Sequence, residues 1–287
     1  MLPADLQRAL TPVVGDVRAA QAVSGGDINA AWQIGTASGQ RYFVKWNPQP
    51  RPGLFQVEAR GLQLLAQTRA LRVPRVIATL DEPPALVLEW IEPGANRSTA
   101  AEALGRGLAQ QHRSIGPAFG LDHDNYLGAT LQINTPAASW LEFYRDRRLG
   151  EQAQLAQARG HLPPERARRL DRVRANLERW IEPASVVPSL LHGDLWGGNY
   201  LIDAHGQPVL IDPAVYYGDR EAEIAFTELF GGFGARFYAA YHEAWPLDHG
   251  YADRRDLYNL YHLLNHLNLF GEGYGSAVDA LLRRYAE

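Results

Sequence analysis

Cysteine is absent from the 287 residues of this chain. Its absence excludes disulfides, thiolate metal sites and a cysteine nucleophile, and is compatible with a reducing cytoplasm. No apolar run is long enough to span a bilayer. The opening residues, Met1-Leu2-Pro3-Ala4-Asp5, lack the basic-then-apolar order of a secretory signal. A cytoplasmic protein with no membrane partner is therefore expected. Positive charge is not in excess either: the formal net charge is −4, so bulk electrostatics gives no support for nucleic-acid binding. No internal repeat, low-complexity tract or clean linker stands out. What is there, 46% hydrophobic and 21% charged residues, is the composition of an ordinary globular protein. The length suffices for a substantial core in one or two domains. Nothing fixes the oligomeric state, and a monomer is the expectation.

The most informative stretch runs from Leu190 to Ile202, Leu-Leu-His-Gly-Asp-Leu-Trp-Gly-Gly-Asn-Tyr-Leu-Ile, and resumes at Val209-Leu210-Ile211-Asp212-Pro213. It reads as a strand end, a polar loop, a strand, a glycine-containing turn from Asp203 to Gln207, and a second apolar strand closed by Asp212. Such a hairpin returns Asp212 beside Asn199, five residues after Asp194. Any one of these polar residues alone is an ordinary turn residue bonding its local backbone. The ordered set is harder to obtain from turns. Phosphoryl transfer from ATP needs such a set, because the enzyme mainly positions reactants and neutralises charge. Magnesium prefers hard oxygen ligands, and a further carboxylate kept off the metal accepts the proton of the attacking hydroxyl. By the order found in protein kinases, Asp194 is the candidate base and Asn199 and Asp212 the candidate magnesium ligands. His192 and Gly193 replace the first two residues of that loop, giving the small-molecule kinase form seen in aminoglycoside and choline kinases.

The N-terminal part reads as a short helix over residues 2–15, with Leu2, Leu6 and Leu10 on one side and Pro12 and Gly15 at its end. Strands follow over Val17 to Val23, Ala30 to Ile34 and Tyr42 to Lys45. Ser24-Gly25-Gly26-Asp27-Ile28-Asn29 lies between the first two. A glycine-rich turn lets backbone N–H groups approach phosphates, although two adjacent glycines by themselves are an ordinary hairpin turn and this is no Walker A loop. Lys45 ends an apolar run, where a lone inward ammonium is costly. A helix is predicted over Leu54 to Arg69, its buried stripe formed by Leu54, Val57, Gly61, Leu64 and Leu65, with Glu58 in its second turn. A strand lysine paired with a helix glutamate holds ATP phosphates in kinase-like folds, so an ion pair is expected in place of two unrelated surface charges. Two more strands, Val73 to Leu80 and Ala85 to Trp90, flank the turn Asp81-Glu82-Pro83-Pro84. The chain leaves the sheet at Glu92-Pro93-Gly94. Backbone groups near Glu89 and Ile91 could there read the adenine edge, an assignment that depends on the fold.

Residues beyond 93 read as mainly helical. Thr99 to Glu102 and Ser139 to Glu142 have the form of capping boxes. His112, near a helix end, reads as a capping or packing residue. Residues 164–181 form a charged helix with Leu170, Val173, Leu177 and Trp180 inward and its arginines on a solvated face. Asp219 is an N-cap candidate, with Glu221 and Glu223 in the first turn. Whether Asp219 or Glu223 also braces the catalytic loop stays open. Further helices are predicted over Gly234 to Ala244, Arg254 to Leu269 and Ser276 to Tyr285. His262 and His266 are four apart on one face. That spacing could bind a metal, but no third ligand is evident, and lining a sugar pocket is the better expectation.

Taken together, these segments resemble the fructosamine kinases, or ketosamine-3-kinases. The likeness rests on Ser24 to Asn29, Phe43-Val44-Lys45, Phe119 to Gly128, Trp140 with Phe143 and Arg147-Arg148-Leu149, His192 to Asn199, Ile211-Asp212-Pro213, Tyr217 to Glu221, Thr227 to Phe233, and Asn265 to Gly271. Trp196-Gly197-Gly198-Asn199 and the closing Asn-His-Leu-Asn block are its most specific parts. The resemblance implies an α+β, two-lobed protein-kinase-like fold: a small antiparallel-sheet ATP-binding lobe over residues 1–92 and a larger, mainly helical catalytic lobe over 93–287. It implies ATP and Mg²⁺ as cofactors. Ser24, Gly25, Gly26, Ile28, Asn29, Lys45, Glu58, Glu89 and Ile91 are the residues expected around the nucleotide. The reaction it implies is phosphorylation of the sugar 3-hydroxyl of fructosamines or ribulosamines, free or on glycated proteins, after which the 3-phosphate eliminates and frees the amine. Trp196 is then expected to wall the sugar and His266 to bond to it. Two other readings stay open: a kinase of this fold acting on another alcohol such as an aminoglycoside, and an ATP-binding scaffold without turnover.

Overall fold

The computed structural model describes residues 2–23, 29–94, 97–182 and 186–287. The chain forms two compact units, one of residues Met1–Ala100 with Asn199–Pro213, the other of Ala101–Gly198 with Ala214–Glu287. The first has the small antiparallel sheet and the second is mainly helical, the α+β division expected from the sequence.

In the first unit, helix α1 (Ala4–Val14) buries Leu6, Leu10 and Val14, spaced to share one face. Pro12 sits in its last turn, where the missing N–H weakens the ladder, and Gly15 caps its C-terminus, the two residues expected at its end. Strands β1 (Val17–Val23), β2 (Ala30–Thr36), β3 (Arg41–Trp46), β4 (Val76–Asp81) and β5 (Pro84–Glu89) make one antiparallel sheet in the order β1-β2-β3-β5-β4. Alternation along β3 decides what each residue meets. Val44, beside Trp32 and Val87, joins the core that contains Leu6, Leu10 and Ile34. Lys45, one residue on and beside Leu86, faces the opposite side. Helix α2 (Leu54–Thr68) buries Phe55, Ala59, Leu62 and Leu65 as well as Leu54 and Gly61. Val57 and Leu64, expected in its stripe, are only half-buried, because the true stripe is turned toward Phe55 and Leu62. Glu58 lies between Phe55 and Leu62 on that stripe.

The hairpin of β9 (Tyr200–Ile202) and β10 (Pro208–Leu210), numbered by its place after β8 (Ser189–Leu191) in the chain, also belongs to this unit. Asp203 shapes its turn by accepting from the N–H groups of His205 and Gln207, both at 2.9 Å. Strand β10 ends at Leu210, so Asp212 follows the strand and does not close it. Arg72 ties the hairpin in: its guanidinium pairs with Asp203 and with Glu89, both at 2.5 Å, while its carbonyl accepts from Leu210 N–H at 2.9 Å.

The second unit holds most of α3 (Arg97–His112), the short hairpin β6 (Asn125–Leu127) and β7 (Thr130–Gln132), and an unbroken helical run. That run comprises α4 (Trp140–Phe143), a π-helical stretch Tyr144–Gly150 and α5 (Glu151–Ala158). Helix α3 starts at Arg97, so position 99 falls inside its first turn and not at its cap. Ser139 does cap α4, accepting from Glu142 N–H at 3.2 Å. Then come α6 (Pro164–Ala175), β8 paired with β11 (Tyr216–Gly218), α7 (Arg220–Leu229), α8 (Ala235–Ala244), α9 (Tyr251–Phe270) and α10 (Gly275–Ala286). Helix α6 ends earlier than expected, with a 3-10 turn at Leu177–Arg179 beyond it. Its Arg166 is not on a solvated face. It is 5% exposed and paired with Glu272 and Asp279. The core packs Trp140, Phe143 and Tyr144 against Tyr258 and Leu264 of α9. Trp140 is fully buried, and its loss to alanine should cost about 3–5 kcal/mol.

Candidate active site

In the first unit two carboxylates converge on Lys45. Its ammonium donates to Glu58 Oε1 at 2.7 Å and to Asp212 Oδ1 at 2.6 Å. The ion pair expected between Lys45 and Glu58 is therefore present, and Asp212 joins it. Burial acts against the charge on Lys45, but the two carboxylates outweigh it and hold the ammonium above its ordinary range. Asp212 has φ of +56°, in the left-handed region that costs a non-glycine residue roughly 1 kcal/mol or more. The hairpin holds it there: Ile211 N–H donates to Asn199 O at 3.0 Å, and the Asn199 amide approaches the Asp212 carbonyl at 3.5 Å. Asn199 and Asp212 thus meet through an amide nitrogen and a backbone carbonyl, and their side chains, one amide and one carboxylate, are of the hard-oxygen type that magnesium takes. Among the described residues no three His, Cys, Asp or Glu side chains group as a metal site. A donor set this sparse fits magnesium, which keeps waters and substrate phosphates as its other ligands.

Of the glycine-rich turn, Ser24, Gly25, Gly26, Asp27 and Ile28 lie outside the described residues. Asn29, at its end, accepts from the Asn47 amide at 3.1 Å. At the far end of β5, the Glu89 carboxylate is held by Arg72, and its N–H donates to Arg75 O at 2.9 Å. Ile91 is buried two residues beyond.

In the second unit the His192-Gly193-Asp194 loop leaves β8 with its backbone held from several sides. Gly193 has φ of +83°, and a Cβ there would lie 2.0 Å from Ala214 O. No side chain fits, which is the physical reason for glycine at this loop position. His192 is buried; its carbonyl accepts from Ala214 N–H at 2.9 Å, and its Nδ1 accepts from Asp194 N–H at 3.3 Å. The firmest hold comes from Glu223. Its Oε1 accepts from Gly193 N–H at 2.7 Å, and its Oε2 accepts from His192 N–H at 3.1 Å. Oε2 also meets His112 Nε2 at 2.9 Å, while His112 Nδ1 lies 2.8 Å from the Tyr241 hydroxyl. Burial pushes the Glu223 carboxyl up, yet its bonds to His112 and to the loop, with the nearby imidazoles, bring it below the usual range. Its stabilising contribution is therefore present above the ordinary carboxyl range and lost as pH falls through the depressed folded value.

Sequence reasoning missed His112 and left Glu223 undecided. Neither carries a motif, and they are 111 residues apart. Asp219, the other candidate brace, caps α7 by accepting from Glu221 N–H at 2.9 Å and accepts from Tyr258 OH at 2.5 Å. No hydrogen bond joins it to the loop among those described.

The Trp-Gly-Gly segment has its own steric logic. A Cβ on Gly198 would lie 2.3 Å from the Trp196 ring, and one on Gly197 would lie 3.1 Å from Gly232 Cα. The indole therefore rests on one glycine while the other meets a second glycine turn. Trp196 remains 43% exposed, a large aromatic face open to a ligand. His266 packs beside Phe230, ring centroids 4.7 Å apart. Its Nδ1 is 2.8 Å from His262 O. A carbonyl only accepts, so Nδ1 carries the proton. Burial lowers its pKa, against the bond to His262 which raises it, which favours the neutral ring with Nε2 as an acceptor. His262 itself is buried. It is 5% exposed and stacked on Phe226 at 3.5 Å, and acts on His266 through its backbone carbonyl.

Comparison with known proteins gives these groups a setting. The chain is 45% identical over 272 residues to a protein named as a probable ketoamine kinase from Lactiplantibacillus plantarum, covering 94% of this chain and 95% of the relative. It is 40% identical over 277 residues to the chloroplastic protein-ribulosamine 3-kinase of Arabidopsis thaliana, covering 92% and 81%. A crystal structure from Thermobifida fusca, described as that of a putative fructosamine-3-kinase, superposes with a TM-score of 0.88 at 33% identity over 97% of each chain. The choline kinase of Streptococcus pneumoniae shares the fold at a TM-score of 0.68 and 16% identity, over 98% of this chain and 97% of its own. The fold is thus the two-lobed, protein-kinase-like class expected from the sequence. Residues 5–287 match the sequence model of fructosamine kinase, and this chain belongs to that family.

Proposed function

We propose that this protein transfers the γ-phosphoryl group of ATP, with magnesium, to the 3-hydroxyl of the sugar in ketosamines. The observation that carries the reading is the clasp of Lys45 between Glu58 and Asp212, the arrangement a phosphate-binding lysine needs, in a chain of this family. Residues 1–92 serve the nucleotide and 93–287 the catalytic and acceptor functions, with the Asn199–Pro213 hairpin contributing its polar groups to the compact unit that holds Lys45.

In this mechanism Ser24, Gly25, Gly26, Ile28 and Asn29 offer backbone and side-chain donors to the phosphates, and Glu89 and Ile91 offer backbone groups to the adenine edge. Lys45 exchanges its bond to Asp212 for phosphate oxygens, while Glu58 keeps it in position. Asn199 and Asp212 hold the magnesium ion, which when bound neutralises phosphate charge. Asp194 accepts the proton of the sugar 3-hydroxyl as that oxygen bonds to the γ-phosphorus and the bond to the β,γ-bridging oxygen breaks. Glu223 keeps the Asp194 loop in one arrangement. Trp196 walls the sugar, and His266 Nε2 accepts from one of its hydroxyls. The 3-phosphate then eliminates, releasing the amine. The acceptor includes ketosamines on proteins, and the enzyme acts as a cytoplasmic monomer.

The test is ATP consumption with magnesium in the presence of fructosyl-lysine, ribulosyl-lysine, an aminoglycoside or no acceptor. Transfer to a ketosamine, absent in Asp194→Asn, is expected. Transfer only to the aminoglycoside would overturn the substrate. ATP binding with no transfer to any acceptor would favour a scaffold.

A further inference from the structure

Lys45 is the only lysine among the 28 lysines and arginines of this chain; every other is arginine. The chemistry that makes a ketosamine needs a primary amine. The nitrogen adds to the aldehyde of an aldose, water leaves to give an imine, and two proton shifts, from C2 to C1 and from the C2 hydroxyl to nitrogen, turn the imine into the ketosamine with no oxidant. A guanidinium, protonated at all ordinary pH, is not such an amine. Side-chain adduct formation on this protein is therefore confined to Lys45. That residue is 8% exposed, with its nitrogen enclosed by Glu58 and Asp212 at 2.7 and 2.6 Å. An aldehyde reaching it would have to break two charge-assisted hydrogen bonds inside a packed sheet-and-helix face.

We infer that the protein is refractory to forming, on its own side chains, the class of adduct it acts on. Its one ε-amine is the one its site requires, and that amine is shielded by its partners. Arginine elsewhere supplies the surface cations: Arg236, 69% exposed at its side chain on α8, and Arg106, 52% exposed on α3, each stand within 4.0 Å of Glu102 as a lysine could. Resistance itself follows from amine chemistry and burial. Only its value to the cell rests on the proposed function.

The experiment incubates the full chain with ribose, without ATP, beside the Arg236→Lys variant, and locates adducts by peptide mapping with the α-amine scored separately. The expected result is a ribose adduct at position 236 of the variant and at least about tenfold less at Lys45 in either protein, with ATP-dependent activity unchanged. Modification of Lys45 at a rate comparable to position 236 would overturn the inference, as would side-chain ketosamines at arginines. Adding ATP and magnesium to the modified variant then separates the two claims. Loss of the adduct at position 236 supports the proposed function on protein-bound sugar, and its persistence counts against that function while leaving the resistance intact.

Discussion

Replacing Glu223 by glutamine perturbs the His192-Gly193-Asp194 loop without touching any group proposed to meet a substrate. The carboxylate receives three donors: Gly193 N–H on one oxygen, His192 N–H and the His112 ring on the other. Glu223→Gln keeps the shape, but its amide nitrogen must face a backbone N–H whichever way it turns. One buried donor is then left unsatisfied, at a cost of about 1–3 kcal/mol. If that cost falls on the native placement of the loop, the competent population drops by up to roughly 150-fold at 1.36 kcal/mol per tenfold. The lysine clasp lies in the other compact unit, so ATP affinity should stay within about threefold. Steady-state kinetics and nucleotide titration well below the unfolding temperature make the measurement. His112→Phe is the companion variant: it removes one donor but keeps both backbone bonds, and kcat should fall no more than about fivefold. An unchanged kcat in folded Glu223→Gln, or equal losses in the two variants, would refute the bracing argument.

Asp194→Asn should lower kcat roughly 10²- to 10⁴-fold, the range for loss of a general base, with ATP binding retained; unchanged turnover would remove Asp194 from the mechanism. Asp212→Asn should shift the magnesium titration of ATP binding to higher concentration, and an unaltered titration would count against its role as a ligand. Gly193→Ala should abolish turnover and lower thermal stability, since its Cβ would sit 2.0 Å from a backbone oxygen at positive φ; an active, equally stable variant would show that the loop can yield. Glu221 makes a pH prediction. Burial and neighbouring Asp219 push its carboxyl up to about 6, against the pull of Arg254 and the Asp248 N–H. A raised acid binds more protons folded than unfolded, so its contribution to stability declines as pH rises from about 4.5 to about 6, by on the order of 1–2 kcal/mol. The stability difference between wild type and Glu221→Gln should follow that slope in denaturant titrations, and a flat difference would contradict it.

The local structure around the candidate site was legible wherever fixed residue types stand at short spacing. His192 to Asn199 and Ile211-Asp212-Pro213 could be read because a hairpin is a local structure whose turn residues and apolar strands follow one another in sequence. The Ser139 and Asp219 caps were legible for the same reason, as was Lys45 with its helix partner thirteen residues on. Helix rotation was less so: periodicity placed α2 against the sheet, but the choice between Val57 and Phe55 depended on the shape of the surface beneath. Tertiary structure alone decided which partner each buried charge finds. Asp203 meets Arg72 across 131 positions, Glu223 meets His112 across 111, and Arg166 meets Glu272 across 106. In sequence such residues look like solvated charges. Their burial is tolerable only because a distant partner supplies the hydrogen bonds water would have made, and no local pattern records where that partner will be.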